Sequence, residues 1–262
     1  HIHFIGIGGI SMSGLAEILL KEGFTVSGSD TKESPLTKKL VSEGAHIIYG
    51  QKVENITRDI GCVVYTAAIN RNNPELIEAV ALKIPMLTRA ELLGQLMKNY
   101  DTPIAVSGTH GKTTTTSMIS HILLEGDLDP TISVGGILKA IGGNIRVGNS
   151  GTFITEACEY TNSFLHFFPK ISVILNIEED HLDFFKDLED IRHSFHQFAE
   201  LLPEDGTLII NAEIKDYAEI YEGLSCNVVT YGTNGCFDYS AKNITYDENG
   251  HVAFDLFRRG EY

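Results

Sequence analysis

Gly108-Thr109-His110-Gly111-Lys112-Thr113-Thr114 decides how the rest of this chain is read. Ahead of it runs Pro103-Ile104-Ala105-Val106, a short apolar stretch that predicts a buried strand. Behind it, Thr115 to Leu124 repeats apolar residues at helical spacing. Strand, glycine-bearing loop, Lys-Thr and helix start form the setting in which backbone N–H groups cradle phosphate. There Lys112 reaches the β- and γ-phosphates, and the Thr113 hydroxyl sits on Mg²⁺. The expected ATP-binding residues are Gly108, Thr109, His110, Gly111, Lys112, Thr113 and Thr114. His110 is placed to donate to phosphate or to line a substrate channel. The spacing departs from GxxxxGK[ST], whose first glycine would stand where this chain has Val106. That departure points away from generic nucleotide hydrolases towards a narrower group.

A chain of 262 residues has room for two domains of ordinary size. Its 43% apolar and 21% charged residues are those of a soluble globular protein. The formal charge of −15 argues against nucleic acid or an anionic membrane as partner. It also means that a polyanion must be met by local positive potential from Lys112, helix N-termini and metal ions. No apolar run approaches the ~20 residues that span a bilayer, and no signal peptide is visible. The expectation is a cytoplasmic enzyme without membrane insertion. Cys62, Cys158, Cys226 and Cys236 form no CxxC pair and read as reduced thiols rather than a zinc site.

The first ~100 residues alternate strand and helix, which implies a parallel sheet with helices on its faces. Strands are expected at 3–7, 25–30, 45–49, 62–66 and 84–87, and helices at 13–21, 36–42, 74–82 and 90–97. Asn99 to Pro103 is a polar, proline-terminated break. It divides the chain into a Rossmann-like domain, 1–101, and a P-loop-type α/β ATPase domain, 102–262. Further strands are expected at 151–155, 171–176, 207–211 and 227–231. Gly135-Gly136 and Gly142-Gly143-Asn144 read as tight loops, and Asp238 to Tyr262 as an antiparallel hairpin turning at Asn249-Gly250.

Gly6-Ile7-Gly8-Gly9-Ile10-Ser11-Met12-Ser13-Gly14 joins the first strand to the first helix. Gly6, Gly8 and Ser11 fill the GxGxxG positions of a pyrophosphate-binding turn, and Asp30 stands where a carboxylate meets a ribose or other hydroxyl. Alone, the cluster would equally suit a nicotinamide-dependent oxidoreductase or a tight turn without ligand. A phosphate loop directly after it weakens the oxidoreductase reading, because hydride transfer has no use for ATP.

Thr155-Glu156-Ala157-Cys158-Glu159 and Asn176-Ile177-Glu178-Glu179-Asp180-His181-Leu182-Asp183 each close an apolar strand. Carboxylates and a histidine at such strand ends lie on the ligand-binding edge of an α/β sheet. Glu156 suits a Mg²⁺ ligand, and His181 a second metal between phosphate and a substrate carboxylate. Glu159, Glu178 and Glu179 read as solvated loop charge, and Phe164, Phe167 and Phe168 as core or interdomain packing.

Together these motifs resemble the Mur ligase family, the ATP-dependent amide ligases of peptidoglycan precursor synthesis. The phosphate loop with its unusual spacing, the Glu156 strand end and Asn176-x-x-x-Asp180-His181-x-Asp183 are similar to that family's motifs. His3 to Gly14, Ser29-Asp30, Tyr65-Thr66-Ala67-Ala68-Ile69 and Thr88-Arg89-Ala90-Glu91-Leu92-Leu93 look like its alanine-adding subgroup. The resemblance implies ATP-dependent joining of L-alanine to the carboxylate of UDP-N-acetylmuramate through an acyl phosphate. It implies Lys112, Glu156 and His181 as catalytic residues, and Thr113, Glu156 and His181 as ligands to two Mg²⁺ ions. Gly8, Gly9, Ile10, Ser11, Met12, Ser13, Asp30 and Thr66 are implied for the UDP-sugar. Many members carry a metal-bridging carbamylated lysine after the Asp-His motif. Asp187 to Ile214 holds none, as in the alanine-adding subgroup, and Phe195-His196-Gln197 lies in that region. Members also have a third, C-terminal domain, which is expected to be absent here and needed for turnover. Two further readings stay open: a murein-tripeptide recycling ligase, and a UDP-sugar-binding regulatory module.

Overall fold

A computed structural model describes residues 1–66 and 68–262. The first sheet is built from β1 (Ile2–Ile5), β2 (Val26–Asp30), β3 (His46–Tyr49), β4 (Cys62–Tyr65) and β5 (Met86–Thr88). Its order is β3-β2-β1-β4-β5, parallel throughout. Helices α1 (Ile10–Lys21), α2 (Pro35–Ser42), α3 (Pro74–Ala81) and α4 (Arg89–Met97) connect these strands and follow the last. Phe4, Ile5, Val63 and Val64 are fully buried, as expected of central strands covered on both faces. Polar side chains set the helix starts. Ser34 and Thr88 form capping boxes with Thr37 and Glu91, and Asn73 caps α3. Ala67, within the Tyr65 to Ile69 stretch, lies outside the described residues.

The second sheet runs β14-β13-β12-β11-β10-β6-β9-β7-β8. Its strands are β6 (Thr102–Ser107), β7 (Thr131–Leu138), β8 (Gly143–Arg146), β9 (Thr152–Ala157), β10 (Ile171–Ile174), β11 (Thr207–Asn211), β12 (Asn227–Gly232), β13 (Tyr239–Tyr246) and β14 (Val252–Arg258). Strands β6, β7 and β9 to β12 pair in parallel, whereas β8 and β14 return antiparallel to β7 and β13. Helices α5 (Lys112–Glu125) and α6 (Leu188–Glu200) follow β6 and β10. The expected hairpin is present, with Gly250 at φ 81 in its turn.

Three sequence expectations change here. Gly135 and Gly136 lie inside β7 rather than in a loop. A Cβ on Gly135 would stand 3.0 Å from the Glu156 carboxylate, so this glycine marks a close approach and not a turn. Of the second cluster only Gly142 turns the chain, at φ 66, while Gly143 and Asn144 open β8. Phe164 and Phe167 are core, as expected; Phe168 is 43% exposed, beneath the Lys98 ammonium at 3.8 Å.

The two sheets share one continuous apolar core that joins Phe4, Leu15 and Met97 to Phe153, Phe167 and Phe198. The units pack tightly at Gly94 on α4, where a Cβ would stand 1.9 Å from the His166 carbonyl oxygen. At Gly14 on α1 the corresponding atom would lie 2.1 Å from Ile145 on β8.

Candidate active site

Strands β6, β9 and β10 are in register so that Ser107 pairs with both Ala157 and Ile174. Their carboxyl ends therefore deliver the phosphate loop, Glu156 and the Asn176 motif to one edge of the sheet. Gly108 (φ 148) and Gly111 (φ 83) take backbone conformations that side chains disfavour, and these bends aim the loop at the start of α5. The first N–H groups of α5 have no intrahelical acceptor and carry the positive end of the helix dipole.

The loop is braced from the β10 side. Asn176 accepts from the His110 N–H at 2.7 Å and donates to the His110 carbonyl at 3.0 Å. The Thr109 hydroxyl accepts from the Glu178 N–H at 2.9 Å. The His110 ring is exposed, 3.8 Å from the Glu178 carboxylate. Thr113 Oγ1 donates to Glu156 Oε2 at 2.9 Å, and Glu156 Oε1 accepts from the Gly135 N–H. Lys112 Nζ donates towards Gly108 O, Thr109 O and both oxygens of Glu159.

Glu159 corrects the sequence reading. It is 2% exposed, not a solvated loop charge, and pairs with Lys112 at 2.9 Å and with His181 Nε2 at 3.7 Å. Glu178 and Glu179 are exposed, as expected. Burial is a property of the assembled loop, so Glu159 had no distinguishing mark of its own. The Glu156-x-x-Glu159 spacing after a strand end was the one available signal. His181 sits at φ 52 with its ring 4.5 Å from that of Tyr160, whose hydroxyl donates to Asp183 at 2.7 Å.

Thr113 and Glu156 are thus brought together, while His181 joins Lys112 through Glu159. A hydroxyl and a carboxylate, the latter backed by Gly135, whose Cβ would crowd it, form an oxygen donor pair suited to Mg²⁺. Among the described residues, no three His, Cys, Asp or Glu side chains converge as a metal site. Phe195 on α6 is fully buried against Phe164.

The first glycine turn is partly self-satisfied. The Gly8 N–H donates to Asp30 Oδ2 at 2.8 Å and the Gly9 N–H to Gly6 O at 3.2 Å. Asp30 also accepts from the Thr31 N–H, so its carboxylate closes on its own turn. Met12 is buried in the core, and Ser13 Oγ donates to Ile10 O. The Ile10, Ser11 and Met12 N–H groups open α1 and have no intrahelical acceptor. Arg89 Nη1 donates to Ser11 Oγ at 3.3 Å, and burial lowers the guanidinium pKa. From the second unit, Asn144 donates to Ile10 O at 3.2 Å. Thr66 accepts from the Ala68 N–H and lines a cavity of about 630 Å³ with Tyr65, Ile69, Leu76 and Met86. The four cysteines are free, and burial pushes the thiols of Cys62, Cys158 and Cys226 upward.

These features define a two-unit α/β protein, Rossmann-like and then phosphate-loop in type. The chain belongs to the Mur ligase family: the family's catalytic domain matches residues 1–101 and its middle domain residues 106–262. It is 63% identical to the UDP-N-acetylmuramate–L-alanine ligase of Agathobacter rectalis over 260 residues, which is 99% of this chain and 57% of that protein. It is 59% identical to the ligase of the same name from Lachnospira eligens, over 100% of this chain and 57% of that one. The chain therefore spans little more than half the length of these relatives. Among solved structures, the UDP-N-acetylmuramate-alanine ligase of Thermotoga maritima superposes with a TM-score of 0.81 at 28% identity, covering 99% of this chain and 58% of that one. The UDP-N-acetylmuramate:L-alanyl-gamma-D-glutamyl-meso-diaminopimelate ligase of Neisseria meningitides gives 0.87 at 28% identity, covering all of this chain and 85% of that one.

Proposed function

We propose that this chain supplies the nucleotide-binding and UDP-sugar-binding parts of an enzyme joining L-alanine to UDP-N-acetylmuramate at the expense of ATP. The observation that carries the reading is the convergence of Lys112, Thr113 and Glu156 on one sheet edge. The high identity to named alanine ligases supports the choice of substrates. The muramoyl carboxylate attacks the γ-phosphorus and ADP leaves; the alanine amine then attacks the acyl carbonyl and phosphate leaves. Bringing a carboxylate to a triphosphate sets like charges together. Lys112 and the open N–H groups of α5 offset that repulsion on an otherwise acidic chain. Thr113 and Glu156 would hold a Mg²⁺ ion and His181 a second, and such ions would supply charge neutralisation for the triphosphate. The N–H groups of Ile10, Ser11 and Met12, with Arg89 beside them, hold the pyrophosphate and so orient the muramoyl arm. The Neisseria neighbour raises the murein-peptide reading, but at 28% identity it is the weaker guide to the added group.

The test is phosphate release by the full-length protein with UDP-N-acetylmuramate and L-alanine, glycine or L-serine. Release is expected to be fastest with L-alanine. Lys112→Ala is expected to lose positional isotope exchange in ATP while still binding the UDP-sugar. Equal rates with all three amino acids, or exchange that survives in Lys112→Ala, would count against the assignment.

A further inference from the structure

Glu159 is not among the ligand-holding groups above, yet it is buried beside the phosphate loop with both oxygens on Lys112 Nζ, at 2.9 and 3.1 Å. An ammonium has three N–H bonds, and four protein acceptors already surround this one: Gly108 O, Thr109 O and the two carboxylate oxygens. Lys112 is saturated before any phosphate arrives. A triphosphate oxygen gains one of its protons only by displacing an acceptor already in place. The two backbone oxygens are neutral, whereas a displaced Glu159 is a carboxylate stranded at 2% exposure next to an incoming polyanion. His181 Nε2 lies 3.7 Å from the same carboxylate, beyond hydrogen-bond distance.

We infer that Glu159 is a positioning residue that holds Lys112 in reserve and makes nucleotide capture depend on a divalent cation. The inference rests on the nucleotide-binding reading above. Bare ATP must displace one of the acceptors already on Lys112, and whether that is a backbone oxygen or Glu159 itself, it then sits against the buried carboxylate charge. ATP carrying Mg²⁺ arrives with much of its own charge offset, so the same displacement costs less. Glu159 thereby favours the metal-loaded nucleotide over the free one.

The experiment titrates a fluorescent, non-hydrolysable ATP analogue into wild-type and Glu159→Gln protein, in excess Mg²⁺ and in chelator. Neutralising the carboxylate is expected to tighten metal-free binding by about tenfold and to change binding in Mg²⁺ much less. The ratio of the two dissociation constants shrinks accordingly. A purely structural role would weaken binding in both conditions equally; that result, or an unchanged ratio, overturns the inference. Melting curves accompany both proteins. Should the glutamine variant fold poorly, Glu159→Asp retains the charge on a shorter arm and is expected to give an intermediate ratio, with a wild-type ratio overturning the inference. Wild-type protein that binds the analogue in neither condition removes the nucleotide-binding reading and this inference with it. Binding with an unaltered ratio removes the inference alone.

Discussion

Glu156 holds two partners at once, the Thr113 hydroxyl and the Gly135 amide, and both oxygens are committed to orienting one carboxylate. Replacing it by alanine leaves Thr113 as the sole protein oxygen of the pair. Glu156→Ala is expected to raise the Mg²⁺ concentration for half-maximal activity by about tenfold or more; a titration superimposable on wild type would refute the role. Much of this site was legible in the chain. Lys112, Thr113 and Glu156 announce themselves through the glycine loop and the strand ends. Glu159 did not, because its neighbours Glu156 and Glu178 are the same residue type with entirely different exposure. Asp30 stands where a carboxylate meets a ligand hydroxyl, and only the folded turn shows that it also accepts from the Gly8 and Thr31 N–H groups.

At the scale of the element, the parallel strands were found because apolar runs between turn residues survive without tertiary information. β7 escaped because its two glycines resemble a turn, and the reason for them lies across the sheet at Glu156. The β7–β8 ribbon is fastened at its base by Asp129, which bonds Arg146 and the Asn149 amides. The Arg146 hydrogen bond, with those from Asn149, holds the Asp129 carboxyl at about 2, against 3.8 for the free group. A depressed carboxyl stabilises the fold above its unfolded value and loses that contribution as pH falls through the folded one. Wild type is therefore expected to be more stable than Arg146→Gln at neutral pH, with the difference closing between about pH 4 and pH 2. Urea midpoints measured across that range check it; a gap at pH 2 as large as that at neutral pH contradicts it.

For the whole molecule, the approach of Gly94 to the His166 carbonyl is one of the tight points where the two units meet. An added methyl at Gly94 meets backbone, which cannot swing aside as the Ile145 side chain opposite Gly14 can. Gly94→Ala is expected to cost about 1–3 kcal/mol, and Gly14→Ala less. Thermal melts order the two variants, and a reversed order would show that the α4 contact is the softer one. None of this could be read in the sequence, where Gly94 is one more small residue in an otherwise ordinary amphipathic helix. No helix among the described residues is long and apolar enough to cross a membrane.

The shared core has a practical corollary for anyone dissecting the protein. A cut in the Lys98–Asp101 connection follows the visible seam between the sheets, yet it would sever a single body of oil. Leu96 and Met97 on one side, and Phe153 and Phe167 on the other, would each face water over surfaces shaped for one another. Halves expressed separately would be sticky partners awaiting reunion, and co-expression is the route to recovering either.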